Sequence, residues 1–161
     1  MSEIVLTAKY QFDPPNVTNK HEKQSEWKTT AFVTLEGSDM CKYYAWFIKR
    51  RFNLELNKPL RDPHISVIND RLTEEQKLIY AELKKEYHGK DVVMSFDPDL
   101  IRSNAKHWWI KCKCEEAEKL RIKLGLSPQP YMPFHLTIGH VNHLNLFHSE
   151  YIRNTILFHN L

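Results

Sequence analysis

The strongest constraint on this chain is an order of elements that occurs twice. Residues 30–68 run as strand, helix, proline-containing loop and a strand containing His64-Ile65-Ser66. Residues 107–139 run in the same order and end in a strand containing His135-Leu136-Thr137. Internal similarity of this kind is best considered before any single motif is interpreted. It predicts two halves, at about 28–70 and 91–141, related by an approximate two-fold axis.

The remaining elements follow from hydrophobic periodicity and from stop signals. Thr73 to Gln76 has the pattern of a capping box, and Gly125 is placed to end a helix. The stretch 97–106, rich in Asp, Pro, Ser and Asn, is predicted as a loop. Strands are predicted at 3–12, 28–36, 64–68, 91–96, 107–113 and 134–141, and helices at about 39–52, 73–89 and 115–126, with another from about Ser149.

Composition limits the class of protein. With 161 residues, 42% of them hydrophobic, the chain can form one α+β domain over 1–161 with its own core. A net charge of +3 permits an anionic ligand but argues against a protein that coats duplex DNA. Cys41, Cys112 and Cys114 lack a zinc-site spacing and suggest a reducing compartment. Without a long apolar run or a signal-peptide pattern at the start, we expect a cytoplasmic protein with no membrane contact.

The two histidine motifs carry the chemistry. Residues i and i+2 of a strand share one face, so His64 lies beside Ser66, and His135 lies beside Thr137. If the halves pack symmetrically, two imidazoles and two hydroxyls meet in one cleft. A neutral histidine can take a proton from a nucleophile, and a protonated histidine can give a proton to the leaving oxygen. Hydroxyls can donate hydrogen bonds to the phosphate oxygens. This chemistry needs no metal or other cofactor.

Aromatic and basic residues near the motifs are candidates for substrate binding. On strand 107–113, Trp109 could stack on a base and Lys111 could meet a phosphate. Phe32 would be the equivalent in the first half, while Tyr131 and, more weakly, Tyr10 could also stack. The alternatives left open are simple packing for the aromatic residues and a solvated side chain for Lys111.

Other histidines do not form a recognisable metal site. His140, His143 and His148 follow the second motif, but their spacing fits no standard zinc site. No metal is therefore expected.

The paired motifs resemble those of the two-histidine (2H) phosphoesterase superfamily, which carries two His-x-Thr/Ser signatures. The resemblance covers about residues 28–141 and, within the superfamily, is strongest to the phage anti-CBASS nucleases, which degrade cyclic di- and trinucleotide signals of bacterial immunity. It implies a bilobal fold of two pseudo-symmetric halves, with concave antiparallel sheets and outer helices. It also implies metal-independent catalysis by His64, Ser66, His135 and Thr137.

The leading hypothesis is a phosphodiesterase that cleaves the 3′-5′ bonds of cyclic oligonucleotide immune signals through a 2′,3′-cyclic phosphate. Such an enzyme would counteract host antiviral signalling from the host cytoplasm. The alternatives are a phosphodiesterase of the same superfamily acting on 2′,5′-oligoadenylate or on RNA 2′,3′-cyclic ends, and a nucleotide-binding protein without turnover. In each case the partner is a cyclic oligonucleotide or a small RNA-like molecule.

Overall fold

A computed structural model describes residues 3–14, 29–59, 61–104 and 106–141. This part of the chain is α+β, as predicted, with six strands and three helices. The helix predicted from Ser149 lies outside the described residues. In chain order the elements are β1 (Ile4–Phe12), β2 (Ala31–Thr34), α1 (Asp39–Phe52), β3 (His64–Ile68), α2 (Glu74–Tyr87), β4 (Asp91–Ser103), β5 (His107–Lys113), α3 (Glu115–Lys123) and β6 (His135–His140).

The six strands form one antiparallel sheet in the order β3-β2-β1-β4-β5-β6. The β1–β4 pair lies at the centre of this sheet, where Ile4 lies opposite Phe96 and Lys9 lies opposite Asp91. The motif strands β3 and β6 are the two edges. They also contact each other, so the sheet curls until it is nearly a barrel. Both histidine motifs consequently lie along the seam between the edges.

Alternation along the strands separates a buried face from a more polar one. In β5, Trp108, Ile110 and Cys112 are buried, whereas Trp109 is half-buried and Lys111 is exposed. In β3, Ile65 and Val67 are buried while His64 and Ser66 are half-buried, and β6 repeats this pattern. The buried residues of all six strands and of the three helices form one hydrophobic core.

Two helices cross from one half of the sheet to the edge strand of the other half. Helix α1 follows β2 but contacts β6, and the thiol of Cys41 donates to the carbonyl of Thr137 at 3.6 Å. Helix α3 follows β5 but contacts β3, where Arg121 donates to the carbonyl of Val67 at 2.7 Å. These crossed contacts hold the edge strands, and hence the motifs, beside one another.

One local prediction is wrong. The loop predicted at 97–106 is mostly strand, because β4 continues to Ser103 and resumes pairing with β5 at Ile101 after a register shift that follows Phe96. Such a bulge accommodates Pro98, which cannot donate to a ladder. The apolar residues of α1 are only partly buried. Tyr44 and Ile48 enter the core, while Tyr43 is 56% exposed. No helix in the described part is long and apolar enough to cross a membrane.

Candidate active site

The two motif histidines have the same local geometry. Each is the first residue of its edge strand and is half-buried. In each ring Nδ1 lies 2.8 Å from a backbone carbonyl two residues earlier, that of Asp62 for His64 and that of Pro133 for His135. A neutral imidazole that donates from Nδ1 keeps its lone pair on Nε2. The fold thus orients both rings so that Nε2 is the atom available for proton transfer.

The surroundings of His64 lower the pKa of its ring. Burial holds the pKa of His64 below its ordinary value, and the charges of Arg61 and His135 lower it further. Asp62 partly opposes this lowering of the pKa, mainly through its carbonyl and less through its carboxylate. The contact between β3 and β6 brings the two motif strands side by side. Its lowered pKa favours His64 as the neutral partner.

The two hydroxyls occupy matching positions in the sheet. Ser66 lies opposite Phe32 of β2, and Thr137 lies opposite Trp109 of β5. Both residues are half-buried and lie on the same strand face as their histidines. In the described part of the chain, neither side-chain hydroxyl is engaged in a hydrogen bond, so both are able to donate to a bound phosphate. The four predicted catalytic residues are therefore brought to one seam.

The aromatic neighbours differ between the halves. The ring of Phe32 lies 4.3 Å from that of His64 at an interplanar angle of 33° and is only 4% exposed. It therefore packs on His64 and also lines the cavity described below, and its stacking on a base stays a prediction. Trp109 is half-buried, and its ring meets that of His135 edge-on with centroids 6.5 Å apart. Part of the indole thus faces solvent beside the second histidine.

The remaining residues predicted to bind substrate are Lys111, Tyr131 and Tyr10. Lys111 is exposed and lies opposite His135 in the sheet. Tyr131 is fully exposed in the loop before β6. Tyr10 is 3% exposed and packs in the core against the rings of Phe12 and Tyr87. The prediction that Tyr10 contacts substrate is wrong, because its side chain belongs to the buried face of β1.

Arg61 was not singled out by the sequence analysis. Its guanidinium carbon lies 5.3 Å from the centre of the Phe32 ring, and its charge acts on His64. The only sequence signal is an arginine three residues before the first motif, where Met132 holds the matching position before the second. Sequence spacing alone does not show that this loop turns back over the sheet. The arginine places a positive charge beside the first motif.

A cavity of about 720 Å³ opens beside His64. It lies between the polar face of β1 and β2, the start of α1 and the 53–63 loop. A volume of this size is in the usual range for small-molecule sites, roughly 300–1,000 Å³. Its polar lining includes Gln11, Thr34, Lys42, Asn57, Lys58 and Arg61.

Metal ligands are not grouped in the described ranges. No set of three or more His, Cys, Asp or Glu side chains there is arranged to hold a metal ion. Among the histidines outside the motifs, His140 lies near His107, with ring centroids 6.4 Å apart. His143 and His148 lie outside the described residues.

Comparison with known proteins identifies no relative. No family model, curated protein or solved structure matches this chain. What supports a function is therefore the pair of motifs and their geometry.

Proposed function

We propose that this protein is a metal-independent phosphodiesterase that cleaves 3′-5′ bonds in cyclic oligonucleotides. The observation that carries the proposal is the equivalent setting of His64 and His135. Both begin edge strands that contact each other, both donate from Nδ1 to a carbonyl, and both keep Nε2 for proton transfer. Two imidazoles in one site are what a concerted attack and departure at phosphorus requires.

We assign the proton-transfer roles from the asymmetry of the site. His64 is the general base, because burial and the nearby Arg61 charge favour its neutral ring. Its Nε2 takes the proton of a ribose 2′-hydroxyl, and the 2′-oxygen bonds to the adjacent phosphorus. The bond from phosphorus to the 5′-oxygen breaks, and His135 gives its Nε2 proton to that oxygen. A single cleavage of a cyclic oligonucleotide gives one linear product, with a 2′,3′-cyclic phosphate at one end and a free 5′-hydroxyl at the other.

Two hydroxyls assist this step. Ser66 and Thr137 donate hydrogen bonds to the non-bridging oxygens, where negative charge develops. Water can then open the cyclic phosphate to a 3′-phosphate, with the histidines exchanging roles. Each general acid or base contributes roughly 10²–10⁴-fold to the rate. Removing one such group therefore leaves binding but little turnover.

The substrate class follows from the resemblance to the anti-CBASS nucleases and from the cavity beside His64. Cyclic di- and trinucleotides that serve as immune signals supply a 2′-hydroxyl next to each 3′-phosphate. A viral protein of this kind acts in the cytoplasm of its host. Trp109 and Lys111 lie beside the second motif and would hold the nucleoside on the leaving side and its phosphate.

A product assay tests the proposal. Wild-type protein is incubated with 3′,3′-cyclic dinucleotides, cyclic trinucleotides, 2′,5′-oligoadenylate and short RNA, each with and without excess chelator. Cleavage of a cyclic oligonucleotide that survives chelator and is absent with its 2′-deoxy analogue supports the proposal. If 2′,5′-oligoadenylate or an RNA 2′,3′-cyclic end is cleaved in preference, that molecule and not a cyclic oligonucleotide is the substrate. Tight binding with no product would replace the enzyme by a binding protein.

Variants separate catalysis from folding. His135→Ala is expected to lower turnover by at least about 10²-fold with an unchanged unfolding midpoint. The matched control is His140→Ala, which removes a half-buried ring from the other end of the same strand. Equal activity of the two variants would contradict the assigned role of His135.

A further inference from the structure

The cavity beside His64 has an excess of positive charge. Lys42 comes from α1, while Lys58 and Arg61 come from the 53–63 loop, and all three line it. Among the described residues of the lining, the one acidic side chain is Asp62. An excess of cations in a concave site favours an anionic ligand. The phosphate that is cleaved between β3 and β6 is only one of the anions that these cations could bind.

We infer that this cavity binds a second phosphate of the substrate, next to the phosphate being cleaved. The inference rests on the proposed function, since it takes His64 as part of the reaction centre. Its consequence is a substrate requirement. The protein prefers molecules with at least two phosphodiesters over a dinucleoside monophosphate or a nucleoside 2′,3′-cyclic phosphate.

The cations are suited to this role. Lys42 is exposed, and its ammonium group lies 3.2 Å from the Asp39 carboxylate in a surface ion pair, which contributes little stability and is readily exchanged for a phosphate. Lys58 is exposed in the loop opposite α1. Lysine binds phosphate as a flexible point charge, whereas arginine offers a planar fork. Arg61, between Lys58 and His64 in the chain, joins the cavity to the reaction centre.

Neutral donors on the cavity wall fit the rest of a nucleotide. The Thr34 hydroxyl donates to Gln11 Oε1 at 3.3 Å, which orients the amide so that its nitrogen is a donor on the wall. Gln11 and Thr34 line the same space and offer hydrogen bonds of the kind that a sugar or a base edge uses. Consecutive phosphates in an oligonucleotide are separated by one ribose. A molecule held at the seam by one phosphate can therefore extend its neighbouring nucleotide into this cavity.

The first test compares substrates that differ in phosphate number. The double variant Lys42→Ala/Lys58→Ala is assayed with cyclic di-AMP, which has two phosphates, and with ApA, which has one. The matched control is Lys49→Ala, which removes a cation from α1 outside the cavity lining. We expect KM for cyclic di-AMP to rise about tenfold or more in the double variant, with little change in kcat and a weaker dependence on salt. KM for ApA and the Lys49→Ala control should not change.

Two results would overturn the inference. One is an equal loss of activity toward ApA and cyclic di-AMP, and the other is an equal effect of Lys49→Ala. Either would mean that the lysines act through overall charge and not through a second phosphate.

Binding of 2′-deoxy cyclic di-AMP, measured by calorimetry, separates the inference from the proposed function. This probe lacks the attacking hydroxyl, so it reports on the cavity whether or not the protein is an enzyme. If the double variant binds this probe about tenfold more weakly and the protein cleaves no substrate, the second phosphate site is supported and the proposed function is contradicted. If the protein cleaves cyclic di-AMP and the double variant keeps the wild-type binding and KM, the second phosphate site is contradicted and the proposed function is not.

Discussion

Replacement of Arg121 by methionine should destabilise the fold strongly. The side chain is 1% exposed, and its guanidinium joins three parts of the molecule. It donates to the carbonyl of Val67 in β3 at 2.7 Å, to the carbonyl of Ser127 before β6 at 2.7 Å, and to both oxygens of Asp70 at 2.7 and 3.2 Å. Helix α3 is thereby fixed to one motif strand and to the loop that leads to the other.

The magnitude follows from what Arg121→Met leaves behind. Removing one partner of a buried ion pair costs about 3–5 kcal/mol, because the remaining groups lose their donors. The Asp70 side chain is 30% exposed and can reach water, so we expect the lower end, about 3 kcal/mol. Arg121→Lys keeps a charge but not the planar fork, and it should fall between wild type and Arg121→Met.

Urea unfolding measures this loss. The control is Lys119→Met on the same helix, whose ion pair with Glu116 is exposed and whose loss should change the unfolding free energy by less than about 1 kcal/mol. If Arg121→Met also loses less than about 1 kcal/mol, the guanidinium does not hold α3 to β3, and this account of how the edge strands are positioned is wrong.

Three further predictions concern acidity, packing and thiol reactivity. The pKa of His64 is lowered in the folded protein, so the unfolded chain binds more protons at pH values between the lowered pKa and the ordinary one of about 6.5. The unfolding free energy should therefore fall as the pH drops through this window. Urea titrations at several pH values measure this dependence on pH, and His64→Gln should make it weaker. Gly139→Ala would bring a Cβ within 2.7 Å of the Asn57 carbonyl and should lower the unfolding free energy by about 1–3 kcal/mol, whereas an unchanged urea midpoint would show that the loop yields. Burial raises the pKa of Cys41 to about 11, so iodoacetamide at neutral pH should label it slowly in native protein and quickly in urea, and rapid native labelling would contradict its burial.

Local patterns in the sequence predicted most of the elements. The bounds of α1, β3 and β5 agree with the prediction, and the capping box from Thr73 to Gln76 is formed at the start of α2. Period-two geometry also correctly separated His64 and Ser66 from the buried Ile65. These features depend on residues that are near in sequence, which is why they could be predicted.

Features that depend on distant contacts could not be predicted in the same way. The extension of β4 is decided by pairing with β5, which overrides the turn-forming residues after Phe96. The approach of Arg61 to Phe32 depends on how a loop folds over the sheet. Tyr10 was assigned to substrate although it alternates with the polar residues of β1, a pattern that indicates the core. The contact between β3 and β6, which brings the motifs together, is set by the curl of the whole sheet.

The central claim is that His64 and His135 act as base and acid on one phosphodiester. A cyclic dinucleotide in which sulfur replaces the bridging 5′-oxygen tests it most directly, because a thiolate leaves without needing a proton from an acid. The loss of activity caused by His135→Ala, relative to wild type, should be at least about 10²-fold smaller with this substrate than with the oxygen substrate. The loss caused by His64→Ala should be the same with both substrates. Rescue of both variants, of neither, or of His64→Ala alone would contradict the assigned pair.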